Sequence, residues 1–207
     1  MVGERPQSGR HVLGLTGPIA CGKTTVGDML LDLGAAVRID ADTVVHDLMR
    51  PGTETTACIA ERFGDVIDAR GAVDRAALGR AVFADRAALR DLEAITHPEV
   101  RREIRRRLDE YAHGVVIVDA VKLLQSELLP LCDAVWVVAC DADVELERLM
   151  HRNSLGEEDA SRRIAAAPNF EHPRVDVRIE NSGSLEELRR DVCSAWERQI
   201  AAWESQG

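Results

Sequence analysis

Lysine is nearly absent from this 207-residue chain: of its 26 cationic residues only Lys23 and Lys122 are lysine, and the rest are arginine. Two lysines kept in an arginine-rich chain mark positions where a compact ammonium serves and a planar guanidinium does not. Long apolar runs are missing too. None approaches the roughly 20 residues of a membrane span, and the opening MVGERPQSGR is polar, without the apolar centre of a secretion signal. A cytoplasmic protein with no membrane partner is expected. The five cysteines, at 21, 58, 132, 140 and 193, show no paired metal-ligand spacing, so reduced thiols are expected rather than disulfides or zinc. Positive charge is in deficit, 26 basic against 36 acidic residues for a net −10, which argues against nonspecific nucleic-acid binding. There is no internal repeat, low-complexity tract or interdomain linker, and no Asn-Lys-x-Asp guanine signature.

One of the two lysines sits in the most informative stretch present. Gly17-Pro18-Ile19-Ala20-Cys21-Gly22-Lys23-Thr24 has two glycines separated by four residues and followed by Lys and Thr, directly after an apolar run. That is the phosphate-loop pattern. Glycines let successive N–H groups curl around a phosphate while the following helix turns its positive end toward it. Gly17, Ile19, Ala20, Cys21, Gly22, Lys23, Thr24 and Thr25 are therefore the candidates for binding a nucleoside triphosphate. Lys23 would reach the terminal phosphates and Thr24 would ligate Mg²⁺.

Hydrophobic residues make up 45% of the chain, enough for a full core. Short β-like runs at 11–16, 35–39, 115–118, 133–138 and 175–179 alternate with helical stretches, as in a parallel five-stranded α/β sheet covered on both faces. The interval between the second and third runs is entirely helical in pattern: 53–63, 74–83, 85–96 and 98–112, interrupted by Gly64–Gly71 and by the His97-Pro98 break. Ser184 opens the last helix with a capping-box pattern. The expected organisation is a single domain over 1–207: a nucleotide-binding core at 11–50 and 114–207, a helical substrate-binding insertion at 51–113, and a lid at 153–170.

Several residues beyond the loop have chemistry to offer, each with a structural alternative. The second run ends in Asp40-Ala41-Asp42. Asp42 suits the base that deprotonates an attacking hydroxyl, while either carboxylate suits a helix cap. Asp119 closes an apolar strand, where it would support Mg²⁺ or cap the next segment. Lys122 follows as an anion-binding candidate. Arg148 and Arg152 lie one turn apart, able to clamp phosphate oxygens or to pair with Glu145 or Glu147. Arg101, Arg102, Arg105, Arg106 and Arg107 form either a second anion site or a solvated face. His97 is a junction residue or a ligand contact.

Taken together, LTGPIACGKTT, the IDAD at 39–42, RPGTETTACIAERFG at 50–64, AITHPEVR at 94–101, LERLMHRN at 146–153 and IENSGSLEEL at 179–188 resemble the dephospho-coenzyme A kinase family, in order and over nearly the whole chain. The resemblance implies a three-layer P-loop kinase fold with a helical insertion and lid. It also implies transfer of the ATP γ-phosphate to the ribose 3′-hydroxyl of dephospho-coenzyme A, a small-molecule substrate, with ATP and Mg²⁺ as cofactors. By matching position it has Lys23 and Thr24 bind phosphates and Mg²⁺, makes Asp42 the base and has Arg148 contact the transferring phosphates, so Lys23, Asp42 and Arg148 form the expected catalytic set; Asp119, from its place at the strand end, joins Thr24 as an expected metal residue. The resemblance has Asn181, Ser182 and Gly183 line the adenine and His97 face the coenzyme; Thr16, Asp42, Arg101, Asp119 and Lys122 complete the expected acceptor-binding set, with Lys122 and the arginines near Arg101 placed to neutralise a diphosphate. A monomer or small homo-oligomer is expected. The chain departs from the family at Asp119-Ala120-Val121-Lys122-Leu123-Leu124-Gln125, where Asp-Val-Pro-Leu-Leu-Phe-Glu is common, and Pro18 and Cys21 replace the usual glycine and serine. Another P-loop kinase of a nucleoside, nucleotide or metabolite, or a catalytically silent nucleotide-binding protein, are the competing readings.

Overall fold

The computed structural model of the chain describes residues 9–83 and 85–205. Its strands are β1 (Arg10–Thr16), β2 (Val37–Asp40), β3 (Gly114–Asp119), β4 (Ala134–Ala139) and β5 (Val177–Glu180). Its helices are α1 (Lys23–Asp32), α2 (Ala41–Leu48), α3 (Glu54–Phe63), α4 (Arg75–Phe83), α5 (Arg86–Leu108), α6 (Ala142–Asn153), α7 (Glu157–Ala165) and α8 (Leu185–Glu204). The five strands form one sheet in the order β2-β3-β1-β4-β5. The pairings of β1 with β3, β1 with β4 and β4 with β5 are parallel. Among the described residues no helix is long and apolar enough to cross a membrane.

β3 and β4 are buried along nearly their whole length, which is why they read as continuous apolar runs rather than alternating ones. Leu13, Leu15, Ile117, Trp136 and Val138 pack with Val26 and Leu30 of α1 and with Val192 and Trp196 of α8. The indole of Trp136 donates to the Gln199 amide oxygen at 3.2 Å. Near its end, α8 stacks Trp203 on His11 with ring centroids 4.5 Å apart. The predicted capping box is present: Ser184 accepts from the Glu187 N–H, and the Glu187 carboxylate accepts from the Ser184 N–H.

The chain divides into two compact units, one made of the described residues of Met1–Arg38 and Tyr111–Gly207, the other of those of Ile39–Glu110. The second unit holds α2 to α5 around Met49, Ile59, Val66, Val73, Leu78, Val82 and Ala88. Here the structure corrects the expected break at His97-Pro98: α5 runs unbroken from Arg86 to Leu108 with Pro98 inside it. Proline removes one backbone hydrogen bond from a helix. The Asp85 cap and a buried stripe of Ala88, Thr96, Val100, Ile104 and Leu108 offset that loss.

The cysteines bring a second correction. Cys21 and Cys140 form a disulfide, with Cα atoms 5.4 Å apart and 119 residues between them in sequence. Cys21 lies just past β1 and Cys140 just past β4, and parallel pairing of these strands carries both to one sheet edge. Spacing in sequence carries no trace of such a pair. Cys58, Cys132 and Cys193 are free, and burial pushes the Cys132 thiol up to about 12.

Closing a long loop, the disulfide is expected to contribute ~2–4 kcal/mol. Thermal melts with and without a reductant should show a lower Tm for the reduced wild-type protein. Cys140→Ser should match that lower value and be indifferent to reductant. Equal melting of oxidised and reduced protein would remove the bond from the stability of the fold.

Candidate active site

The site of the first unit begins where β1 ends. Gly17 has φ 153°, and a Cβ there would run into the Val138 carbonyl, so only glycine fits the turn out of the strand. Ala20 (φ 62°) and Gly22 (φ 92°) adopt left-handed conformations, which curl the loop back on itself. Gly22 is the N-cap of α1, where no side chain caps the free N–H groups and no acid lies in the first turn. Uncapped donors at the positive end of a helix, preceded by a curled loop, form an anion cradle.

The register of the sheet sets what faces that cradle. Leu15 pairs with Asp119 on one side and with Trp136 on the other, so the ends of β1, β3 and β4 align. Lys23 Nζ donates to the Asp119 carboxylate, which is buried at the end of β3. Thr24 and Thr25 are exposed on the first turn of α1. Thr16, expected at the substrate, is instead fully enclosed, with its hydroxyl donating to the Val121 carbonyl at 3.0 Å. β1 is the central strand and is buried on both faces at this end, so the side chain has no exposed side to turn to. Lys122 is exposed on the turn that follows β3.

Arg148 is drawn into the same region. Its guanidinium donates to the Asn181 carbonyl at 2.7 Å, not to the carboxylate of Glu145 or Glu147. The Asn181 side chain in turn donates to the Cys21 carbonyl at 2.9 Å, and Ser182 Oγ accepts the Asp141 N–H at 2.8 Å. Two clefts meet at Arg148. One of about 280 Å³ is lined by Ala20, Gly22, Thr25, Arg148, Asn181, Gly183 and Leu185 among others. The other, about 620 Å³, is lined by Val144, Glu147, Arg148, His151, Arg152 and Ser182. Leu185 is 61% exposed and His151 lies one turn beyond Arg148. Neither is legible in the sequence, because an apolar residue after a cap and a helical histidine carry no local signal.

In the second unit the two aspartates separate. Asp40 is the N-cap of α2 and accepts the Thr43 N–H at 3.0 Å, while Asp42 is exposed in the first turn of that helix. The cap reading therefore belongs to Asp40. His97 and Arg101 lie one turn apart on one face of the continuous α5. Their arginine neighbours are largely paired: Arg102 with Glu99, Arg106 with Glu103 and Glu110, Arg107 with Glu103 and Asp47. The Arg106 hydrogen bond, aided by Arg107, holds the Glu103 carboxyl down at about 2. Most of this cluster is thus the solvated, paired face rather than an anion site.

No group of three or more His, Cys, Asp or Glu side chains able to hold a metal occurs among the described residues. One hydroxyl and one carboxylate, Thr24 and Asp119, suit Mg²⁺, which takes few protein ligands and fills the rest of its shell with phosphate and water oxygens.

The family model for dephospho-CoA kinase matches residues 11–187. A dephospho-CoA kinase of Symbiobacterium thermophilum is 45% identical over 192 residues, covering 90% of this chain and 80% of that protein. One of Carboxydothermus hydrogenoformans is 38% identical over 187 residues, covering 87% of this chain and 90% of that protein. A crystal structure from Thermus thermophilus aligns with a TM-score of 0.75 at 28% identity, covering 92% of this chain and 98% of that one.

Glu145, on the helix that carries Arg148, is buried with Oε1 lacking any hydrogen-bond partner, and burial pushes its carboxyl above the usual carboxylate range. A raised folded-state value means the group weakens the fold as pH rises through it, and adds no penalty below the unfolded value, where both states are protonated. Glu145→Gln should therefore be more stable than wild type by ~1 kcal/mol at neutral pH, with the gain fading toward about pH 4. Urea melts at both pH values measure this. A variant no more stable than wild type at neutral pH would contradict it.

Proposed function

Since the chain belongs to the dephospho-CoA kinase family, we propose that it transfers the γ-phosphoryl group of ATP to the ribose 3′-hydroxyl of dephospho-coenzyme A, giving coenzyme A. The observation that carries the donor half of this reading is the phosphate loop joined through Asn181 to Arg148. Phosphoryl transfer asks the protein chiefly for positioning and for positive charge at the migrating group. The loop N–H groups and Lys23 supply the first such charge. Phosphate oxygens would compete with Asp119 for the Lys23 ammonium and leave that carboxylate able, with Thr24, to hold Mg²⁺. The metal would offset phosphate charge when bound there. Arg148 meets the transferring group from α6, with a planar fork suited to two oxygens.

The acceptor half rests on the family and on the second unit. Asp42 is assigned the proton of the 3′-hydroxyl, since it is exposed while Asp40 holds the cap. His97 and Arg101 are assigned to the coenzyme, and Lys122 to its diphosphate. Ser182 and Gly183 are assigned to the adenine end of the donor nucleotide. The reading carries with it a cytoplasmic enzyme, a monomer or small homo-oligomer, acting on a small molecule with no nucleic-acid or membrane partner.

The direct test is a mass-resolved product assay with ATP and Mg²⁺ across dephospho-coenzyme A, adenosine, AMP, CMP, uridine and pantothenate. Dephospho-coenzyme A should be converted in preference to all others. Faster conversion of a nucleoside or monophosphate, with no coenzyme A formed, would overturn the acceptor assignment and leave a P-loop kinase of another metabolite.

Asp42→Asn should keep shape and most ATP affinity while lowering kcat by roughly 10²-fold or more, because the base is lost. Steady-state kinetics beside a thermal melt read the two effects separately. Full turnover in a folded variant would assign the proton elsewhere.

A further inference from the structure

Asn181 follows β5 and is only 7% exposed, yet its polar groups reach three different elements. Its N–H donates to the Ala139 carbonyl at 2.7 Å, fixing the turn against the end of β4. Its Nδ2 donates to the Cys21 carbonyl at 2.9 Å, across 160 residues of sequence. Its own carbonyl accepts from Arg148 Nη1 at 2.7 Å. The fit against the loop is close, since a Cβ on Gly22 would collide with Nδ2.

We infer that Asn181 is a positioning residue: it aims the donors of the phosphate loop and holds Arg148 in register with them, rather than selecting the nucleotide base. The inference rests on the kinase reading above. Its physical basis is the peptide unit between Cys21 and Gly22. That unit is planar and trans, so the Cys21 C=O and the Gly22 N–H point in opposite directions. With the carbonyl tied to Asn181, the Gly22 N–H points away from Asn181 as a donor to an anion. Gly22, whose φ of 92° is one of the two torsions that turn this unit, has no Cβ to hold either orientation of the peptide by local sterics. A free Cys21–Gly22 unit could turn over and present a carbonyl oxygen to a phosphate. The bond from Asn181 opposes that flip. The same residue anchors Arg148 through a neutral carbonyl, so the guanidinium keeps its full charge while its distance from the loop is set.

The expectation from family resemblance was that Asn181 lines the adenine. A side chain nine-tenths buried, with its amide nitrogen against the loop, presents little to a base. Residues of the 620 Å³ cleft, such as His151 and Ser182, are better exposed to one.

The test is a double-mutant cycle with Asn181→Ala and Arg148→Ala, read as kcat/KM for ATP, with GTP run in parallel. Asn181→Ala should lower kcat/KM by roughly 10²-fold. The loss in the double variant should be smaller than the product of the single losses by at least about fivefold, because the two residues act on one arrangement. The ATP-to-GTP preference should stay as in wild type. Losses that multiply, or a changed preference, would overturn the inference, the latter in favour of base contact. Asn181→Asp keeps the shape and the backbone bonds while removing the Nδ2 donor. It should reproduce the loss should the alanine variant fold poorly, and wild-type kinetics in the aspartate variant would overturn the role. The same cycle is measured as ATP affinity by calorimetry. If wild type makes no coenzyme A, the acceptor reading fails on its own, and non-multiplicative affinity losses still decide the role of Asn181.

Discussion

Parallel pairing on both flanks of β1 is the constraint from which the site follows. β3 and β4 run alongside β1 in its own direction, so Leu15 has Asp119 on one side and Trp136 on the other. The chain therefore leaves all three strands at one edge, and β5, parallel to β4, adds Asn181 there. The phosphate loop, Asp119, Cys140 and Asn181 meet regardless of their distance in sequence. An antiparallel partner would have sent one of them to the opposite edge. What holds this arrangement is apolar: fully burying a side chain such as Leu13, Ile117 or Val138 contributes ~1.5–3 kcal/mol, more than a typical net hydrogen bond of ~1 kcal/mol at the edge.

Within that frame, charge is placed by choice of partner. An acidic chain that binds a polyphosphate needs cations whose charge has not been cancelled. Arg106 and Arg107 are neutralised by Glu103, with Glu110 and Asp47 beside them, and so brace the second unit. Arg148 is bonded to a backbone carbonyl, which orients the guanidinium without removing its field. Lys23 is the intermediate case, paired with the buried Asp119 carboxylate at the mouth of the loop.

Local features of the site were legible in the sequence and nonlocal ones were not. The loop pattern, the acid closing an apolar strand and the capping box each occupy a few consecutive residues. The Cys21–Cys140 bond and the Asn181–Cys21 hydrogen bond join residues 119 and 160 positions apart, so only the sheet order reveals them. Pro98 misled because a local rule, proline ending a helix, was outweighed by burial along α5. Thr16 was legible only as a strand end beside the loop; that its hydroxyl is taken up by the Val121 carbonyl, 105 residues away in sequence, is again a nonlocal fact.

The loop itself stores a modest strain that the rest of the edge must offset. A non-glycine residue in the left-handed region, Ala20 at φ 62°, costs about 1–2 kcal/mol. The next residue is tethered twice, by the disulfide through its side chain and by Asn181 through its carbonyl. Each tether is of the order needed to offset that strain. The loop offers an anion its backbone N–H groups, so the side chain at position 21 faces the end of β4, bonded to Cys140, without entering the cradle. That division of labour, backbone toward the ligand and side chain toward the sheet, explains why a cysteine is tolerated where the family commonly has serine.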